Sequence, residues 1–171
     1  MQIIKQLEQF VPSSVCLKCD GCCRFKSVDS PWRPKVGQAE NLALKAPETD
    51  VLDDQGYIKA IGDCGNHLCR FFNKADSTCR VYDQRPFECA LYPFILSRSP
   101  EGVQAHVHLA CPYVQDHHHT KAFEDYAAYL KGFFHRPETR DFLRRNSNFI
   151  HDYSIFQPEL QYLFTIQGLC L

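Results

Sequence analysis

The run Cys16–Cys23, CLKCDGCC, decides how this chain folds because it gathers four thiols within eight residues. Two residues separate Cys16 from Cys19 and Cys19 from Cys22, and at that spacing a turn aims both sulfurs at one ion. Gly21 lets the backbone turn sharply before the third cysteine. Zinc and iron–sulfur clusters both use thiolates spaced in this way. The run therefore predicts a metal site.

Further cysteines extend the set of candidate ligands. Adjacent side chains diverge, so Cys22 and Cys23 reach two metals or one of them is a packing residue. A zinc ion or a cubane cluster takes four ligands, and the N-terminal run needs partners from later in the chain. One site, two sites and a multinuclear centre are all compatible with this count. The eight predicted metal ligands are Cys16, Cys19, Cys22, Cys23, Cys69, Cys79, Cys89 and Cys111.

Composition limits the compartment and the partners. The chain has 171 residues and a net charge of -1, with acidic and basic residues mixed. The sequence contains no basic patch of the kind that binds nucleic acid. It also shows no apolar stretch long enough to predict a membrane span and no pattern that predicts export. We therefore expect a cytoplasmic protein with no nucleic-acid or membrane partner and with an unidentified protein partner or substrate. In a reducing compartment, clustered thiols favour metal ligation over disulfides.

Several short elements are predicted before residue 110. Apolar residues at helical spacing predict a helix over residues 1–11, and propensity predicts another over residues 37–46. Tyr57–Ile61 is predicted as a strand. Two alternating segments, residues 91–96 and 103–109, predict a β-hairpin closed by a turn ending at Gly102. His106 and His108 then share one strand face, where they bind metal or face solvent.

The C-terminal part changes to a helical pattern. Apolar residues at i, i+3, i+4 and i+7 predict an amphipathic helix from about residue 119 to Pro137 and a second over residues 138–150. Pro158 suits a first helical position and predicts a short third helix. We thus expect an α+β fold of one domain, residues 1–171. A small, loop-rich, metal-stabilised cysteine body with a β-hairpin, residues 16–113, carries a helical C-terminal cover, residues 119–171.

Residues beside the cysteines offer secondary roles. Cys69, Cys79 and Cys89 are spaced ten residues apart and each precedes apolar or aromatic residues, a weak repeat. His67 lies between Cys64 and Cys69 and is an alternative zinc ligand. Arg85 before Pro86 is predicted to anchor the structure through a carbonyl, a carboxylate such as Asp83, or a thiolate.

Together these segments resemble one family. Cys16–Cys23 is followed by Cys69-Arg-Phe-Phe, by Cys79-Arg-Val-Tyr-Asp-Gln-Arg-Pro and by Cys89-Ala-Leu-Tyr-Pro-Phe. This pattern resembles the CxxCxxCC (YkgJ-type) cysteine-cluster family, whose description names zinc or iron as the chelated metal. The resemblance covers residues 16–113, including Cys111-Pro112. Ala90 stands where the family has a basic residue, so no role of that residue carries over.

The resemblance implies metal binding through the clustered cysteines, with iron in an iron–sulfur cluster or zinc as the cofactor. A related cysteine-cluster enzyme, the flagellin lysine methylase, is linked to an iron–sulfur cluster, and this favours iron. Two alternatives stay open. The first is an enzyme that uses the cluster for group transfer such as protein side-chain methylation, with its catalytic residues unknown. The second is a structural zinc module for protein–protein interaction.

Overall fold

The computed structural model describes residues 6–19, 21–37, 40 and 50–169. The chain divides into two compact units. We call Val11–Ala90 the cysteine unit, because it holds seven of the eight predicted ligands. We call Met1–Phe10 together with Leu91–Leu171 the sheet unit, because it holds the longest strands.

Short elements build the cysteine unit. Its first sheet has the antiparallel order β1-β3-β2, and its second is the hairpin β4-β5. Two 3₁₀ turns, Gly21–Cys23 and Tyr82–Gln84, accompany them. The helices and strands are α1 Ser13–Cys16, β1 Arg24–Phe25, β2 Ala60–Asp63, β3 Asn66–Cys69, β4 Phe72–Asn73, β5 Thr78–Cys79 and α2 Phe87–Leu91, whose last residue begins the sheet unit.

The core of the cysteine unit combines apolar side chains with thiols. Phe25, Ile58, Leu68 and Phe71 are buried together, and Cys69 is buried among them. Cys23 and Cys79, both half-buried, pack against the same cluster. Because free cysteine behaves as a small apolar side chain, these thiols contribute to the core before any metal is considered.

The sheet unit is built on longer strands. Its sheet has the antiparallel order β6-β7-β8, with a register irregularity in β7 between Ala105 and His106. 3₁₀ turns occupy Ser147–Phe149 and Ser154–Glu159. The strands and helices are β6 Phe94–Ser99, β7 Gly102–His108, α3 Pro112–His117, α4 Lys121–His135, α5 Pro137–Arg145 and β8 Leu160–Ile166.

Helix α4 shows how the sequence defines these elements. Thr120 caps its N-terminus, and the Thr120 hydroxyl accepts a hydrogen bond from the Phe123 amide at 3.3 Å. Its apolar face buries Phe123, Leu130, Phe133 and Phe134. The helix ends before Pro137, which begins α5 at a position where proline needs no amide hydrogen.

The presence of both helices and antiparallel sheets confirms the α+β class. The predicted hairpin is confirmed as β6 and β7, and Gly102 has φ of 123° in the turn between them. The amphipathic helix from residue 119 is confirmed as α4. Among the described residues, none of the helices is both long and apolar enough to cross a membrane.

Other local predictions are wrong. The segment after Pro158 is strand β8 rather than a helix, and it pairs along β7 from Leu160 to Ile166. The helix predicted over residues 138–150 ends at Arg145 and gives way to a 3₁₀ turn. His106 and His108 do not face solvent, because both are buried. Leu91, predicted to begin a strand, ends helix α2.

The remaining local predictions meet the structure only in part. Of the strand predicted at Tyr57–Ile61, Tyr57 and Ile58 make isolated bridges and the strand itself is Ala60–Asp63. Residues 7–11 are not helical, and residues 1–5 of that predicted helix lie outside the described residues. The same applies to most of the helix predicted over residues 37–46.

Candidate metal centre

Strand register brings the N-terminal cysteines to a later one. In the antiparallel pair of β1 and β3, Arg24 lies opposite Leu68 and Phe25 opposite His67. Continuing this register by one residue places Cys23 opposite Cys69. Side chains at such positions share one face of the sheet and approach within contact distance. Accordingly, the thiols of Cys23 and Cys69 are hydrogen-bonded to each other.

Hydrogen bonds between thiols perturb the titration of this pair. The Cys23 thiol donates hydrogen bonds to the sulfurs of Cys22 and Cys69, and these bonds together with burial raise the pKa of Cys23. The thiol of Cys23 and the amide of Phe71 stabilise the thiolate of Cys69, and they lower its pKa despite burial. These two donors favour the thiolate at Cys69, the form of cysteine that ligates metals.

Two further cysteines approach this pair. Burial raises the pKa of Cys79, and the nearby sulfurs of Cys69 and Cys22 raise it further. Burial likewise raises the pKa of Cys89, and the nearby sulfurs of Cys69, Cys22 and Cys79 raise it further. The structure thus brings together five thiols from the turn Gly21–Cys23, from β3, from β5 and from α2. We call Cys22, Cys23, Cys69, Cys79 and Cys89 the thiol cluster.

A repeated backbone contact supports these sulfurs. The amide two residues after a cysteine donates to its sulfur at three places: Gly21 to Cys19 at 3.5 Å, Phe71 to Cys69, and Val81 to Cys79. Such N–H···S contacts stabilise negative charge on sulfur. The ten-residue repeat of Cys69 and Cys79 therefore corresponds to a shared turn geometry, whereas Cys89 lies in a helix.

Two arginines add positive charge beside the cluster. Arg80 lowers the pKa of Cys69, and Arg85 acts in the same direction on Cys79. The Nη1 of Arg85 also donates to the Tyr82 carbonyl at 3.1 Å, and its guanidinium lies 4.0 Å from the Tyr82 ring centroid. The predicted anchoring role of Arg85 thus has a carbonyl and an aromatic ring as its partners.

Sequence reasoning missed the residue that holds helix α2. Glu40 is buried, and its Oε1 accepts a hydrogen bond from the Phe87 amide at 2.7 Å, at the first turn of the helix that carries Cys89. Its Oε2 accepts from the Gly37 amide at 2.8 Å. The burial of Glu40 is the signal for this role, and the sequence alone does not show that Glu40 is buried. Burial also raises the pKa of Glu40.

The other predicted ligands lie on other elements of the fold. Cys16 ends α1 and Cys19 follows it, and both are half-buried in the cysteine unit. Cys111 belongs to the sheet unit, where it is buried at the N-cap of α3. The set of eight ligands stays a prediction. Cys64 is exposed and has a positive φ of 44°.

The donor set fits a thiophilic metal. The nine described cysteines form no disulfide with one another. Hydrogen bonds to Cys22 and Cys69 raise the pKa of Cys23, and burial with the nearby sulfurs of Cys69 and Cys22 raises the pKa of Cys79 and Cys89. A bound cation would be the charge that stabilises several thiolates at once. Among the described residues, no group of three or more His, Cys, Asp or Glu side chains is placed so that it could hold a metal ion as the side chains stand.

A separate hydrogen-bonded group lies in the sheet unit. His108 Nδ1 lies 3.2 Å from the Tyr92 hydroxyl, and its Nε2 lies 3.3 Å from Glu159 Oε2. Burial lowers the pKa of His108, although Glu159 opposes that shift. Both imidazole nitrogens of His108 therefore have partners within the protein. The structure therefore gives no support to the prediction that His108 is a metal ligand.

Comparison with known proteins agrees with this donor set. The model of the CxxCxxCC family, described as "Putative zinc- or iron-chelating domain", matches residues 15–126, more than half of the chain. The chain belongs to the CxxCxxCC family. The match includes every cysteine of the thiol cluster, and the departure at Ala90 does not prevent it.

One curated relative also matches. It is an uncharacterized protein of Methanocaldococcus jannaschii, 33% identical over 85 residues, which are 46% of this chain and 43% of that protein. The chain therefore spans less than half the length of the relative it matches. No solved structure matches this chain.

Proposed function

We propose that this protein binds iron, as an iron–sulfur cluster, through the thiolates of its cysteine unit. The observation that carries the proposal is the thiol cluster. Cys23 is hydrogen-bonded to Cys22 and Cys69, and Cys79 and Cys89 lie near enough to Cys22 and Cys69 for their charges to interact. Membership of a family described as chelating zinc or iron supports the same function. Because such ligands must remain reduced, we infer a reducing compartment, the cytoplasm.

The softness of the donors favours an iron–sulfur cluster, which is held by cysteine thiolates. A zinc ion and a cubane cluster each take four ligands, and the thiol cluster, with Cys16 and Cys19 just before it, offers more sulfurs than one zinc ion needs. An iron–sulfur cluster would supply electron transfer or Lewis acidity at this position. The protein's own contribution is burial, amide donors to sulfur, and the charges of Arg80 and Arg85.

The test is the metal and acid-labile sulfide content of the full chain purified without oxygen, together with its visible absorption spectrum. Iron with sulfide and a broad visible band is the expected result. Zinc without sulfide or colour, together with failed reconstitution from iron and sulfide, would replace the cluster with a zinc site. Protein that binds neither metal would overturn the proposal.

A pair of variants assigns the site. Cys79→Ser removes a sulfur of the thiol cluster, and we expect it to lower the cluster content strongly. Cys64→Ser is the matched control, because Cys64 belongs to the same unit but is exposed and outside the thiol cluster. Equal losses in the two variants would contradict the assignment.

A further inference from the structure

His67 lies on the face of β3 that carries Cys69. Only Leu68 lies between them along the strand, and successive side chains of a strand alternate between faces. Across the sheet, His67 is paired with Phe25 of β1 and Gly62 of β2. The neighbouring pair on this face is Cys23 and Cys69, so His67 lies one pair away from the hydrogen-bonded thiols.

The imidazole of His67 has an unusual feature for a half-buried side chain. Its Nδ1 is shielded from solvent and has no hydrogen-bond partner among the described residues. Buried polar atoms in folded proteins nearly always have a partner, and a bound ion is one recognised reason for an exception. A neutral imidazole nitrogen is also the commonest metal ligand in proteins.

Electrostatics gives the reason for a nitrogen donor at this place. The thiol cluster already brings five sulfurs into one unit, and each further thiolate would add repulsion between like charges. An imidazole ligates without adding negative charge. Replacing thiolate by histidine in iron–sulfur centres also raises their reduction potential.

We propose that Nδ1 of His67 is a nitrogen ligand of the metal centre formed by the thiol cluster. The inference rests on the proposed function, since it requires a metal there. With this ligand, the centre is a mixed cysteine and histidine site. Cys64, which forms a sequence motif with His67, is exposed and is not one of the proposed ligands.

The first test uses wild-type protein, so it does not depend on the folding of a variant. The full chain, with its histidines labelled with ¹⁵N, is loaded with ¹¹³Cd²⁺, a diamagnetic thiophilic probe. We expect a one-bond coupling between ¹¹³Cd and Nδ1 of His67, and a ¹¹³Cd shift of a site with sulfur and nitrogen donors. Cadmium bound with an all-sulfur shift and no coupling to His67 would overturn the inference while leaving the proposed function intact. Failure to bind any metal would overturn both.

The second test compares two histidine variants. His67→Gln should weaken metal binding by about 100-fold or more, beyond the effect usual for an outer partner. His119→Gln is the control, because His119 is exposed in the sheet unit, and it should leave binding unchanged. Circular dichroism of both variants establishes that they fold. Unchanged affinity and an unchanged visible spectrum in a folded His67→Gln protein would contradict ligation.

Discussion

The two units of this chain differ in what fills their interiors. The sheet unit buries aromatic and aliphatic side chains completely, with Phe133, Phe134 and Leu143 at 0% exposure. Its strands are six or seven residues long. The cysteine unit has strands of two to four residues and includes thiols in its core. One interior is therefore filled mainly by aromatic and aliphatic side chains, and the other combines such side chains with thiols.

This difference explains why a short-stranded segment can still be ordered. Two-residue strands make few ladder hydrogen bonds, and isolated hairpins of that size are marginal in water. A metal bound by residues far apart in sequence closes long loops and adds its binding energy to folding. We therefore expect the two units to respond differently to the same perturbation.

The largest expected effect is that of metal removal. Stripping the metal-loaded protein with a strong chelator under reducing conditions should abolish hydrogen-exchange protection in β1, β3 and β5 and leave β6–β8 protected. The physical reason is that structural metal binding contributes on the order of 10 kcal/mol to small thiolate sites. Exchange measured by mass spectrometry before and after chelation checks this, and equal loss of protection in both units would contradict it.

Truncating the apolar core should affect the sheet unit instead. Phe134 is fully buried in α4, so Phe134→Ala should lower the free energy of unfolding by about 3–5 kcal/mol. Urea unfolding followed by circular dichroism measures the change. Ile155→Ala is the control, because Ile155 is 81% exposed and should change stability by less than about 0.5 kcal/mol. Metal stoichiometry should remain unchanged in both variants, and a loss of metal in Phe134→Ala would argue against this separation.

An intermediate effect is expected from the buried carboxylate of the cysteine unit. Glu40→Ala leaves the amides of Gly37 and Phe87 without their acceptor, at about 1–3 kcal/mol for each buried group. Metal affinity should fall as well, because α2 carries Cys89. Urea unfolding and metal titration measure both effects.

Two further variants test this explanation. Glu40→Gln keeps one acceptor oxygen and should lose less stability than Glu40→Ala. Asp54→Ala removes an exposed carboxylate of the same unit and should have little effect. A Glu40→Ala protein as stable as Asp54→Ala would exclude the proposed support of α2.

The smallest effect is the pH dependence contributed by two buried histidines of the sheet unit. Burial lowers the pKa of His108 below its ordinary value of 6.5, and burial acts in the same direction on His106. The unfolded chain then binds protons more readily, so stability from the neutral imidazoles is complete above about pH 6.5 and declines as the pH falls below it. Urea midpoints at pH 7.5 and 5.5 measure this decline.

His108→Gln should make the dependence on pH shallower, although it also alters the contacts with Tyr92 and Glu159. His119→Gln, at an exposed position, should leave the slope unchanged. Identical slopes in the wild type and His108→Gln would rule out His108 as its source.

Local pattern predicted the elements whose signals are local. The alternation around a turn ending at Gly102 predicted β6 and β7, and the helical period from residue 119 predicted α4. Strand β8 was missed because Pro158 suggested a helix start. The alternation of Leu160, Tyr162, Phe164 and Ile166 carried the correct signal, although Tyr162 is exposed where the register shifts.

The site was only partly predictable for a related reason. The cysteine spacing indicates metal binding, but which sulfurs come into contact depends on the pairing of strands that are distant in sequence. Nothing local in the sequence places Cys23 opposite Cys69, and the contact between Glu40 and Phe87 spans 47 positions. Such pairings are fixed by packing of the whole unit, which single-sequence patterns do not contain.

The distribution of the thiol cluster along the chain also has a consequence for biosynthesis. Cys22 and Cys23 leave the ribosome early, whereas Cys89 on α2 follows several tens of residues later. At ordinary elongation rates of about 5–20 residues per second, the first thiols of the nascent chain wait several seconds for their last partner. During that interval the thiols are open to oxidants, and under the proposed function the complete thiol cluster is available to a metal only after translation has passed α2.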